Sequence, residues 1–280
     1  MKACDLFRTP PKLKLRDADA ACTPMSAASR PGNGQLAHAD IKEMDKEEAK
    51  RLGERIAELQ PILYAERQRK LLLILQGTDT SGKDGAVKAL FDYVNPMGLR
   101  PVAFKAPTEI EAAHDYLWRV HKEVPKAGEI AIFNRSHYEE VLITRVEGMI
   151  SAGECKRRYA QIRDFERMLA ETGTVIVKVF LHISKAEQKE RLEARLGDPE
   201  KQWKFDPADL KQRAKWNEYL RAYERAIMET DADHAPWYIV PADSKPHRNV
   251  AVAAILLETL QAMKLKWPQP DPKLLGLKIV

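Results

Sequence analysis

The chain has 280 residues, 44% hydrophobic and 31% charged, so it can bury a sizeable core as one large α/β domain or two small ones. A formal net charge of +5 is too mild to point to nucleic acid and suits a small anionic substrate. Cys4, Cys22 and Cys155 share no metal-ligand spacing and read as free thiols of a reducing cytoplasm; no signal-peptide core and no membrane-length apolar window is evident.

Residues 1–40 carry Pro10-Pro11, small residues from Ala20 to Ala28, and Pro31-Gly32-Asn33-Gly34. That composition predicts a flexible N-terminal arm lying on the domain or on a neighbouring subunit, with a short strand at Lys12 to Leu15 as the alternative. Asp40 offers an N-cap for an amphipathic helix over 41–69, whose apolar face is Leu52, Ile56, Leu59 and Leu63. Pro61 is a candidate break or kink in it.

Leu71 to Gln76 has pure strand character and Ala86 to Phe91 is helical. Between them stands Gly77-Thr78-Asp79-Thr80-Ser81-Gly82-Lys83. Strand, Gly-rich loop and helix are the context a phosphate-binding loop requires. Gly77 and Gly82 let the N–H groups around Thr80 and Ser81 turn inward, and the helix adds its positive end. Lys83 brings a mobile charge for the outer phosphates. The residue after it is Asp84, where such loops usually carry the hydroxyl that meets Mg²⁺. Asp79 lies inside the loop instead. A carboxylate there repels phosphate unless a cation stands between them, so Asp79 is the candidate Mg²⁺ ligand, with Mn²⁺ the alternative ion.

Further strands are expected at Val102 to Lys105, Ile130 to Phe133, Thr174 to Leu181 and Trp237 to Val240. Helices are expected over about 83–95, 108–122, 136–148, 155–171, 185–196, 207–229 and 246–263. The alternation predicts a mostly parallel five-stranded sheet with helices on both faces, in one domain over 41–270, followed by a tail at 271–280.

Asn134-Arg135 follows the Ile130 strand, at the end where open α/β sheets bind ligands. Arg135 can grip phosphate with both arms of its guanidinium, or form a surface ion pair with Glu139 one helical turn on. Asn134, where an acid of the Mg²⁺ shell would normally stand, can orient water or phosphate. His137 and Tyr138 read as packing residues.

The segment Arg191 to Arg213 alternates basic residues with acids around Gly197-Asp198-Pro199, the pattern of a mobile helical lid over about 185–215. Arg191 and Arg195 share one helical face and are expected to fold over the reacting phosphates with Lys204, excluding water. Trp203 and Phe205 read first as anchors of the lid loop, with base stacking the alternative.

With these residues in hand, the chain resembles the polyphosphate kinase 2 family. The likeness rests on Leu75 to Gly85, on Phe133-Asn134-Arg135-Ser136-His137-Tyr138-Glu139 and on the lid-like segment, extended by Trp216 to Tyr219 and Ala235-Pro236-Trp237. It covers about 40–270 and implies a P-loop kinase-like three-layer sandwich. It also implies Mg²⁺-dependent, reversible phosphate transfer between inorganic polyphosphate and adenine or guanine nucleotides. Asn134 resembles the class III members, which act on both AMP and ADP. Asp79, Lys83, Asn134, Arg135 and Glu139 are then the catalytic set. Gly77, Thr80, Ser81, Gly82, Asp84, Arg191, Arg195 and Lys204 join Lys83 and Arg135 in phosphate or nucleotide binding. An ATP-dependent P-loop kinase and a nucleotide-sensing module are the competing readings. Neither nucleic acid nor membrane is expected as a partner, and homo-oligomerisation is left open.

Overall fold

The computed structural model describes residues 2–30, 33, 36–274 and 277. Its centre is a five-stranded parallel sheet in the order β2-β3-β1-β4-β5. The strands are β1 (Lys70–Gln76), β2 (Leu99–Ala103), β3 (Ile130–Asn134), β4 (Thr174–His182) and β5 (Trp237–Pro241). Leu71 to Leu75 of β1 are completely buried, which the uninterrupted apolar run already implied for a strand covered on both faces. In register, Leu73 sits beside Ile132 of β3 and Val177 of β4. The chain leaves β1 toward β3 and β2, then returns to place β4 on the other side. The carboxyl ends of β1 and β3 therefore flank the switch point where such sheets bind ligands.

Two groups of helices cover the sheet. One comprises α1 (His38–Glu66), α2 (Lys83–Phe91) and, last in the chain, α7 (Lys245–Ala262), which pack on one another. The other pairs α3 (Ala152–Glu171), which lies on β4, with α6 (Trp216–Thr230). The connections from β4 supply α4 (Lys185–Leu196) and α5 (Ala208–Ala214).

Several expectations change. The helix α1 begins at His38 with Asp40 inside its first turn, where the acid faces the helix dipole instead of capping it. It runs unbroken through Pro61 to a left-handed Arg67. The expected helix over 136–148 is a 3₁₀ turn (His137–Val141) followed by a single turn (Ile143–Val146), and that over 108–122 is likewise two short turns. The helix expected over 207–229 divides at Lys215 into α5 and α6.

The composition of 1–40 suggested flexibility, yet much of it is built into the domain. Ala3, Phe7, Leu15, Ala20 and Ala27 are buried. The edge of β5 is paired not by Lys12 to Leu15 but by Phe7 and Thr9: Thr9 N–H donates to the Trp237 carbonyl at 3.0 Å and Ile239 N–H to that of Phe7 at 2.8 Å. Glu258 accepts from the N–H groups of Ala3 and Cys4 at 2.7 and 2.9 Å. Five buried apolar side chains and a protected strand edge hold a segment that its Pro and small-residue content alone would leave loose. Pro31, Gly32 and Gly34, and much of the tail 271–280, lie outside the described residues.

Candidate active site

The loop after β1 is shaped by its two end glycines. At Gly77 (φ +155°) a Cβ would stand 2.6 Å from Ser81 Oγ and 2.7 Å from the Leu181 carbonyl, so no side chain fits. Gly82 (φ +95°) makes the left-handed turn into α2, whose first N–H bond runs from Ala86 to the Gly82 carbonyl at 2.9 Å. Thr80 is also left-handed (φ 63°), a strained conformation for a β-branched residue and of the kind that clusters at functional turns.

Lys83, the first residue of α2, is buried with its ammonium curled into the loop. It donates to the Gly77 carbonyl at 2.8 Å and the Thr78 carbonyl at 3.3 Å. Burial and the nearby Arg135 hold its pKa below the ordinary lysine value, against the pull of Asp79, Glu139 and Asp84. An anion entering the loop finds this cation already desolvated.

Across the switch point, the end of β3 supplies Asn134 and Arg135. Arg135 is left-handed (φ 62°), tied by its N–H to the Leu75 carbonyl at 3.1 Å, and its Nη2 donates to Asp79 Oδ1 at 2.6 Å. Burial would lower its pKa, but Glu139 and Asp79 outweigh that and raise it. Asn134 donates to Asp84, whose other oxygen lies 3.7 Å from Lys204 Nζ, so Lys204 of the lid segment does reach the first turn of α2. Glu139 shares the cleft, and burial followed by the like charge of Asp79 pushes its carboxyl above the usual range despite Arg135 and Lys83. Trp216, Tyr219 and Tyr223 of α6 form the facing wall.

The lid arginines part company. Arg191 lies under the loop, not over it. Its Nε binds Glu187 at 2.6 Å, Nη1 the Thr80 carbonyl at 2.9 Å, and Nη2 the carbonyls of Ala242 and Asp243 at 2.6 and 2.9 Å. A guanidinium so engaged and 8% exposed cannot fold over phosphates, which corrects its expected lid role. Arg195 reaches α5 instead, 3.5 Å from Asp209 and bonded to the Lys204 carbonyl at 3.0 Å. Nor is Trp203 an anchor: it is 77% exposed.

Three contributors escaped the sequence reading. Gln188 of α4 donates to the Asp79 carbonyl at 3.2 Å. Its position one turn before Arg191 was the available signal. Asp209 approaches Asp79, and burial followed by that like charge pushes its carboxyl up to about 6. Nothing local distinguishes Asp209 from the other acids of the segment. The third lies in the core: Lys178 of β4, fully buried, binds Glu166 at 2.6 Å, Tyr138 at 2.9 Å and the Thr230 carbonyl at 2.8 Å. Glu166 also accepts from Tyr138 at 2.8 Å and contacts His137 Nε2 at 3.2 Å. This network pins the 3₁₀ turn that presents Glu139, and gives His137 and Tyr138 the packing role expected of them.

The residues fit a divalent cation. Asp79 Oδ2 is buried and has no hydrogen-bond partner among the described residues, and a second carboxylate, Asp209, stands beside it. Two carboxylates that repel each other, one with a bare oxygen, are relieved by a hard cation with oxygen ligands.

A glycine-cornered loop on a helix N-terminus, an inward lysine and an arginine from the neighbouring strand define a P-loop phosphotransferase. The comparisons narrow the class. Residues 40–268 match the family model described as Polyphosphate kinase 2. The chain is 52% identical over 220 residues to an AMP/ADP-polyphosphate phosphotransferase of Meiothermus ruber, covering 79% of this chain and 82% of that one. It is 42% identical over 231 residues to an ADP-polyphosphate phosphotransferase of Rhodopseudomonas palustris, covering 78% and 80%. The crystal structure of Polyphosphate Kinase 2 from Arthrobacter aurescens superposes with a TM-score of 0.87 at 43% identity, over 97% of this chain and 93% of that one. The chain belongs to the polyphosphate kinase 2 family and is a transferase.

Proposed function

We propose that this chain transfers the terminal phosphate of inorganic polyphosphate to AMP and ADP, reversibly, with Mg²⁺ as the natural ion and Mn²⁺ as a substitute. The observation that carries the reading is the meeting of Lys83, Asp79 and Arg135 within one loop, with one oxygen of Asp79 left bare. The names of the relatives support the donor and acceptors.

In the reaction a terminal phosphate oxygen of the nucleotide attacks the end phosphorus of the donor. One P–O bond forms, the bond to the next bridging oxygen breaks, and polyphosphate leaves one unit shorter. The attacking oxygen is already ionised at neutral pH, so no general base is needed. The obstacle is repulsion between two polyanions, and the transfer is chiefly a matter of positioning and charge stabilisation. The loop N–H groups and Lys83 hold the donor's end. Arg135 faces the group in transfer. Asn134 and Lys204 steady the first turn of α2 through Asp84, and the α6 aromatics with the lid segment keep water out. Asp79, with Asp209, would hold the cation, which when bound neutralises phosphate oxygens. Glu139 lines the acceptor side, half-buried, with its carboxyl pushed above the usual range by burial.

Among the described residues no helix is long and apolar enough to cross a membrane, and all three cysteines are free thiols. We place the enzyme in the cytoplasm on the second ground. The deciding experiment supplies purified protein with polyphosphate as sole donor and AMP or ADP as acceptor. Formation of ADP and ATP is expected. Transfer only when ATP is the donor would replace this reading with an ATP-dependent kinase.

A further inference from the structure

The N-terminal segment passes the carboxyl ends of β4 and β5 and comes to rest on the root of the lid. Leu15 N–H donates to Glu224 of α6 at 2.7 Å. His182 Nε2, at the end of β4, donates to the Arg16 carbonyl at 2.8 Å, and Asp243 N–H, just after β5, donates to the Ala20 carbonyl at 3.2 Å. Leu15 and Ala20 are buried, so the stretch between them has a fixed place. Asp17 stands in that stretch, exposed itself, with both carboxylate oxygens engaged. Its Oδ2 accepts from the N–H of Lys185, the first residue of α4, at 3.2 Å. Its Oδ1 accepts from the indole N–H of Trp216, the first residue of α6, at 3.3 Å. The carbonyl of the same Lys185 accepts from Arg213 of α5 at 2.6 Å, and Arg213 also donates to the Gln188 side chain at 3.0 Å. The start of α4, the end of α5 and the start of α6 are thus joined at one point, and Asp17 reaches that joint from the far end of the sequence.

The joint bears on the reaction through what its members touch. The chain leaves α4 after Leu196 and returns through α5 to Trp216. Trp216 lines the cleft with Asp79, Arg135 and Glu139. Gln188, steadied by Arg213, donates to the Asp79 carbonyl at 3.2 Å. Asp209 lies four residues before Arg213 on the same face of α5 and stands beside the Asp79 carboxylate. The place where α5 ends therefore sets both a wall of the cleft and the approach of Asp209. A second tie runs from Lys215 to Glu147 at 2.7 Å, so loss of Asp17 would loosen the returning end of the lid without freeing it. Asp17 is exposed and its two hydrogen bonds are long, so it adds little to global stability. Its effect is to be read in the lid and not in the fold.

We infer that Asp17 is a positioning residue of the phosphate transfer: through Lys185 and Trp216 it fixes the returning end of the lid, and so the closed cleft that keeps water from the reacting phosphate. The inference rests on the polyphosphate-donor reading given above. The parent is compared with Asp17→Ala, Asp17→Asn, Trp216→Phe and the double variant Asp17→Ala/Trp216→Phe. Transfer from polyphosphate to ADP, free phosphate released beside it, thermal melting and tryptic cleavage between 198 and 215 are measured on each. In Asp17→Ala kcat should fall about fivefold, the change expected for the loss of one ordinary hydrogen bond, while the KM for polyphosphate holds. The share of free phosphate should rise. Cleavage in the lid should quicken by a similar factor, because it follows the population of the open form. Melting should stay near that of the parent. Asp17→Asn keeps one acceptor oxygen and should recover part of each loss. The double variant should lose less than the product of the two single losses, since Asp17 acts partly through the indole. Unchanged kcat, phosphate partition and cleavage in Asp17→Ala would overturn the inference. So would losses that follow a lowered melting temperature, or that multiply in full with those of Trp216→Phe. Cleavage needs no donor. A parent that transfers nothing from polyphosphate, with Asp17→Ala still cut faster, would remove the donor reading and keep the contact with the lid, so the two failures are told apart.

Discussion

Arg135 and Asp79, 56 residues apart in the chain, meet at 2.6 Å across the mouth of the phosphate loop. The guanidinium engages Oδ1 alone. Oδ2 is left buried and bare. This division of one carboxylate between an arginine and an unmet need is what a cation would complete. Asp79→Asn keeps the shape and removes the charge. It should raise the Mg²⁺ concentration for half-maximal rate, and Asp209→Asn should do so to a smaller degree. Titration of rate against Mg²⁺ checks both, and an unchanged curve for Asp79→Asn would refute the assignment.

Lys83→Ala should reduce transfer by on the order of 10²-fold or more. The fold should survive, because a desolvated ammonium whose pKa is held down contributes little to stability. Turnover and thermal melting are measured together. A variant with native melting and near-native turnover would mean that the loop is not the reaction centre.

Arg191 and Arg195 should differ in kind. Arg191→Ala strips hydrogen bonds from three buried or half-buried carbonyls and leaves Glu187 unpaired, at a cost of about 3 kcal/mol in stability. Arg195→Ala should melt nearly as the parent does but lose more donor to water, since its contacts hold Asp209 and the Lys204 segment over the cleft. Chemical denaturation and the ratio of free phosphate to transferred phosphate separate the two.

Lys178 and Glu166 form an ion pair with no exposure to solvent. Lys178→Met alone strands a buried carboxylate and should cost roughly 3–5 kcal/mol. The double variant with Glu166→Gln should recover part of that loss. Urea midpoints across the four proteins give the coupling, and simple additivity would contradict the pairing.

His247 is buried with Nδ1 facing the Pro241 carbonyl at 3.2 Å, and burial holds its pKa below the ordinary 6.5. Below pH 6.5 the unfolded chain takes up a proton that the folded one refuses. Stability is therefore complete above that pH and falls as pH drops toward the folded value, by at most about 1.4 kcal/mol per pH unit. His247→Gln should remove this component. Melting temperatures of parent and variant between pH 7 and 5 should diverge accordingly, and parallel curves would show that the ring takes up its proton in the fold as readily as in the unfolded chain.

The loop was legible because its signals are local. An uninterrupted apolar strand, glycines at both corners and a lysine opening a helix constrain one another over a dozen residues, although half of the steric demand at Gly77 comes from the distant Leu181 carbonyl of β4. The parallel sheet was legible for a similar reason: five apolar runs separated by helical periodicity admit few other arrangements. Three matters were decided only by tertiary structure. Helical spacing put Arg191 and Arg195 on one face, but a long flexible side chain can run up or down from it. The carbonyls of Ala242 and Asp243 drew Arg191 beneath the loop, while Asp209 drew Arg195 toward α5. Composition left residues 1–40 loose, whereas the open edge of β5 and the carboxylate of Glu258 supplied partners that no local rule reveals. Arg248 stood in an ordinary helical stretch, and only the folding of α7 against α2 brought its charge onto Gly82. Backbone conformation and hydrophobic pattern are short-range and read well from sequence. Where a charged side chain finds its counter-charge depends on which distant segments the fold brings within a few ångströms of it.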